Sequence, residues 1–128
     1  MTTSNTILVE IINDHPELAF EIIKKKPDLF CSLRKEHQTK KINLIAVSKR
    51  GDNLQYIKEP EEKLVLNALR NDGTAIRFIE NPSEKLCQVA VKNDGLAISW
   101  IKNPSKETQL LAIEQNPWSI KQIEDSFF

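Results

Sequence analysis

Two histidines, two cysteines and eighteen acidic residues are the side chains of this sequence best able to supply a base, a thiol nucleophile or metal ligands. A nucleophile needs a base beside it, a metal needs ligands at fixed spacing, and acid–base work needs paired carboxylates. None of these patterns stands in the sequence. His15 precedes Pro16 and His37 falls in an irregular stretch, neither with a second ligand at metal spacing. Cys31 and Cys87 are 56 residues apart with no CxxC or Cys/His spacing, so they read as packing residues of a protein from a reducing compartment. Asp72 and Asp94 each precede a glycine and belong to turns. The expectation is a chain that is not an enzyme and uses no metal or cofactor.

Two other groups of residues suit binding. Tyr56, Phe78 and Trp100 recur at intervals of 22 and would form an aromatic ladder, with Arg77 as a polar neighbour of Phe78. Such a ladder either fills a layer between helices or anchors a partner helix or peptide, aromatic and Arg side chains being enriched at binding hot spots. The second group is basic. From Lys24 to Arg50 there are nine Lys and Arg, among them Lys40, Lys41, Lys49 and Arg50, against Asp28 and Glu36. The whole chain is nevertheless neutral, 18 basic residues against 18 acidic. That segment is a solvated face, a steering patch for an acidic protein, or a phosphate-contacting surface. Lysine dominates it, no aromatics are interleaved, and no nucleic-acid motif accompanies it, which places nucleic acid behind protein as a partner.

The elements that must position these residues announce themselves by repetition. Cut every 22 residues, the chain gives units 39–60, 61–82, 83–104 and 105–126 without a gap. Place 8 of each unit is Ala (Ala46, Ala68, Ala90, Ala112), and place 9 is Val47, Leu69, Val91 and Ile113. Place 16 is Leu54, Ile76, Ile98 and Ile120, while place 13 is Gly51, Gly73, Gly95 and then Pro117. The apolar spacing is helical, so each unit predicts a first helix of about eleven residues and a second of about seven. Glycine at place 13 is expected to take the left-handed C-cap conformation, and Asn81 and Asn103 to cap the next helix with Pro82 and Pro104 at its first position. Helices this short are stable only when stacked. The alanine column then marks where neighbouring helices touch, and Ala90→Leu should overpack it by about 1–3 kcal/mol.

Residues 5–38 read as degenerate units. Ile7, Leu8, Ile11 and Ile12 form one stripe, Leu18, Phe20, Ile22 and Ile23 a second, and Leu29, Phe30 and Leu33 a third. The register slips by two residues near Glu36-His37-Gln38, where a longer connection is expected. Phe127 and Phe128 follow the last helix, either as a hydrophobic cap or as a contact for self-association. The fold expected is all-α: one domain, 1–128, built as an α-solenoid of short antiparallel helix pairs with a 22-residue repeat. No apolar run reaches membrane-spanning length and the N-terminus does not resemble a signal peptide, so no membrane association and a cytoplasmic location are expected.

On Ala90-Val-Lys-Asn-Asp-Gly-Leu-Ala-Ile98 and its copies at Ala68 and Ala46, the chain resembles a family of short helical repeats known only as a domain of unknown function, with an A-V-x-x-D/N-G-x-A-L motif. The Asn-Pro-Ser-Glu punctuation is also similar to that of variant leucine-rich repeats, which alternate a full helix with a tighter one. Both resemblances imply an α-solenoid and neither supplies a catalytic residue. Rigid repeat stacks offer extended surfaces rather than deep pockets. The expected function is a protein–protein interaction module, for instance a small bacterial or viral protein that modulates a host factor. Nucleic-acid binding through 24–50 and self-association are the rival readings.

Overall fold

The computed structural model describes the backbone of residues 3–127 and the side chains of residues 5–123. Among the described residues every regular element is helical and no helix is long and apolar enough to cross a membrane. The four units fall in register. Helices α3 (Lys40–Lys49), α4 (Glu62–Asn71), α5 (Glu84–Asn93) and α6 (Lys106–Gln115) begin 22 residues apart. Each of the first three is followed at once by a six-residue 3-10 helix: η3 (Gly51–Tyr56), η4 (Gly73–Phe78) and η5 (Gly95–Trp100). Upstream lie α1 (Thr3–Asp14), α2 (Pro16–Lys25), η1 (Pro27–Ser32) and the short η2 (Lys35–His37); downstream lies α7 (Ser119–Phe127).

Two rows result. Each α-helix from α1 to α6 packs on the next, while η1, η3, η4, η5 and finally α7 line up beside one another in a second row. From α3 to α6 like ends are neighbours: Lys40 reaches Glu61 and Glu62 reaches Lys85 at the N-terminal ends, and Asn93 reaches the Arg70 carbonyl at the C-terminal ends. The pair α2–η1 is a unit displaced by two residues, and η2 occupies the expected slip at 35–37.

The second helix of each of the first three regular units is a 3-10 helix, a correction with a visible cause. Places 13, 16 and 19 are spaced by three, and a helix with three residues per turn eclipses i and i+3. Gly73 and Ile76 therefore face the core while Thr74 and Arg77 share the solvent side, where the Arg77 guanidinium donates to Thr74 Oγ1 at 3.0 Å. The fourth unit departs again. Pro117 replaces the glycine and α7 is an α-helix.

The punctuation residues exchange the roles expected of them. No glycine has a positive φ; the left-handed residues are Glu59 (φ 50°), Asn81 (φ 52°) and Asn103 (φ 50°), all at place 21. Asn81 and Asn103 thus turn the chain into the next unit and do not cap it. The caps are Thr39, Ser83 and Ser105, whose side-chain oxygens accept from the amides of Ile42, Leu86 and Thr108. Glycine is needed at place 13 for room. A Cβ on Gly73 would lie inside van der Waals contact of the Ala90 carbonyl oxygen, 3.1 Å from the Ala90 carbonyl carbon and 3.2 Å from the Asp94 nitrogen, and one on Gly95 would meet the Ala112 carbonyl oxygen.

The four alanines of place 8 have no exposed surface, as close packing of the α row requires. Burial divides into two clusters. One runs from Val47 to Ala112, and the other gathers Ile12, Ala19, Ile23, Leu29, Phe30, Leu33, Ile42 and Ala46. Ile57 packs against both. Ile7 and Leu18, assigned above to apolar stripes, stand half out of the protein at 51% and 47% exposure. The side chains of Phe127 and Phe128 lie outside the described residues.

Candidate interaction surface

The solvent side of the 3-10 row carries the aromatic ladder, and the structure gathers part of it. Phe78 is half-buried against the core, and the Arg77 guanidinium lies over its ring at 4.5 Å and 5.7 Å from the centre of the Trp100 ring. Trp100 leaves 53% of its surface open. Arg77 is braced from two sides: its guanidinium donates to Asp52 Oδ1 at 2.9 Å and to the Thr74 carbonyl at 3.3 Å. Next to it opens a groove of ≈ 660 Å³ bordered by Phe78, Asn81, Trp100, Lys102 and, on its floor, Cys87.

The remaining candidates are dispersed. Tyr56, 39% exposed, borders a separate groove with Cys31, Lys35 and Gln38, and Gln38 donates its side-chain amide to the Tyr56 carbonyl at 3.2 Å. Lys40 and Lys41 sit at the start of α3, where Lys40 pairs with Glu61 at 3.2 Å and the Lys41 ammonium lies over the Phe20 ring at 4.3 Å. Lys49 and Arg50 are at the other end of the same helix, about 15 Å away by its rise. The four do not form one patch. Lys49 instead belongs with Lys24, Lys25, Arg70 and Lys92 in the last turns of their helices, where cations complement the helix dipole.

Burial, and secondarily the nearby Glu84 carboxylate, pushes the Cys87 thiol above its ordinary value, which keeps it protonated and unreactive. Cys31, expected to pack, is exposed. No group of three His, Cys, Asp or Glu side chains that could hold a metal occurs among the described residues. The sequence reading missed Asp52, the anchor of Arg77, because the pairing becomes visible only once places 14 and 17 of successive units are known to be adjacent. It also passed over Trp118, which at 78% is among the more open apolar side chains of the described surface. No protein-family model, curated protein or solved structure matches the chain.

Proposed function

We propose that this chain is a non-catalytic protein–protein interaction module that works in a reducing, cytoplasmic setting and receives its partner on the face formed by Phe78, Arg77 and Trp100. One observation carries the reading: a tryptophan 53% exposed stands beside an arginine already held by Asp52 and Thr74. The polar neighbour is held before a partner arrives, so little of its side-chain entropy is lost on docking. Aromatic and Arg side chains in such settings dominate binding energy. The adjoining groove accepts a side chain from the partner.

The test is capture from native cytoplasm followed by competition. A specific partner should be displaced by added wild-type protein, and Trp100→Ala should weaken its binding by about tenfold or more, while Leu18→Ala on the far end leaves it intact. A partner retained equally by Trp100→Ala moves the docking face elsewhere. Nucleic acid is separated by a mobility-shift assay at two salt concentrations. With the lysines of α3 split between its two ends, no salt-sensitive complex is expected.

A further inference from the structure

Each α-helix of the row turns the same edge toward the unit that follows it. Place 2 supplies Lys40 to Glu61 at 3.2 Å, Glu62 to Lys85 at 3.0 Å, and Glu84 to Ser105 and to Thr108 Oγ1, the latter at 3.3 Å. Place 10 supplies Ser48 to Asn67 at 2.7 Å and the Arg70 carbonyl to Asn93 at 2.7 Å. Between them, places 9 and 16 are sealed. Val47, Leu69 and Val91 have no exposed surface, and Leu54, Ile76 and Ile98 have 2%, 1% and 3%.

Among the described residues the same edge of the fourth unit is more open. Ile120 at place 16 is 45% exposed and Ile113 at place 9 only half-buried, whereas their inner counterparts are sealed; Leu110 at place 6 is 53% exposed, a place that is also open in the first unit, where Leu44 is 43% exposed. A unit that merely ended the stack would carry polar residues here. A fifth regular unit does not fit the seat. At place 13 Gly73 and Gly95 have no room even for a Cβ beside the next alanine carbonyl, and here the residue is Pro117. Nor does the opposite end of the protein present a matching unit, because α1 covers α2 and η1 there.

The edge is, however, complementary to itself. Lys106, Leu110 and Glu114 lie four residues apart on consecutive turns of α6, and all three are exposed. Turned antiparallel about a two-fold axis through Leu110, two copies of α6 set leucine on leucine. Lys106 of each then stands opposite Glu114 of the other. This is an isologous interface, which closes at two subunits. We infer that the open edge of α6 and α7 is the dimerisation surface of this protein, with Leu110, Ile113 and Ile120 as its apolar centre and the Lys106–Glu114 pairs fixing its register.

Sedimentation equilibrium of the full chain over a concentration series tests this. The wild type should pass from monomer to dimer, and Leu110→Glu should raise the dissociation constant by about tenfold or more with unchanged helical circular dichroism. Lys106→Glu and Glu114→Lys alone each set like charges face to face and should weaken the dimer by about threefold or more. The double variant, or an equimolar mixture of the two single ones, should recover it. Trp100→Ala should leave the dimer unchanged, which separates this surface from the partner-docking face. A wild type still monomeric at about 1 mM overturns the inference. So does a dimer indifferent to Leu110→Glu, a double variant no tighter than the single ones, or dimerisation only after Phe127 and Phe128 are deleted, which would give the edge to the chain's own end.

Discussion

Single residues at place 21 and place 13 set the path of the chain, and they do so by different physics. Asn tolerates the left-handed region because its short polar side chain bonds locally; Glu gains no such relief. Glu59 holds φ 50° at the place where the two following units have Asn81 and Asn103. Glu59→Asn is therefore expected to raise stability by about 0.5–1 kcal/mol, read as a shift in the denaturant midpoint at constant m-value. Both residue types were legible as punctuation. Their roles were not, since glycine and asparagine each serve as a turn residue, and only the approach of the Ala90 carbonyl to Gly73 shows which of the two needed conformational freedom and which needed space. The cysteines separate in the same manner. Cys31 should be alkylated quickly at neutral pH. Cys87, its thiol raised by burial, should react only as the protein unfolds, so mass spectrometry of briefly treated native protein should show one adduct, at Cys31. Two adducts formed at equal rates would contradict the burial of place 5.

At the scale of elements, the alternation of a ten-residue α-helix with a six-residue 3-10 helix depends on the glycine between them. Gly73→Ala should cost about 1–3 kcal/mol through collision with Ala90, whereas Gly51→Ala, whose Cβ meets only the Asp72 side chain at 2.9 Å and the Ala68 carbonyl oxygen at 3.5 Å, should cost less. Thermal melts of the two variants decide the order. The α-helices could be read from the sequence because their apolar stripe and the alanine column agree. The tightness of the second helices could not, because six residues with apolar groups at i, i+3 satisfy both helix types. The candidate site follows the same division. Tyr56, Phe78 and Trp100 were found as a column with Arg77 as the polar neighbour of Phe78, but the 25-residue span from Asp52 to Arg77 needed the stack itself.

At the scale of the whole molecule, successive units are clasped by the side-chain amide at place 11. Asn93 accepts from the Gly73 amide at 2.7 Å and donates to the Arg70 carbonyl at 2.7 Å; Gln115 accepts from the Gly95 amide at 2.5 Å. Asn71 breaks the pattern, folding its amide back onto the Asn67 carbonyl at 3.0 Å and leaving Gly51 without this clasp. Hydrogen exchange should find the Gly51 amide faster than those of Gly73 and Gly95. An equal rate at all three would show that the place-11 amide does not protect the glycine it reaches.

That inward turn of one asparagine leaves the joint between the first two regular units without the amide clasp, so that Ser48–Asn67 and Asp52–Arg77 are the hydrogen bonds that carry it. The joint falls beside Glu59 and Ile57, where the two apolar clusters meet. Because Asp52 lies on the Tyr56 side of that joint and Arg77 on the Phe78 and Trp100 side, a bound molecule spanning both faces would add its own contacts to the ion pair that already ties them.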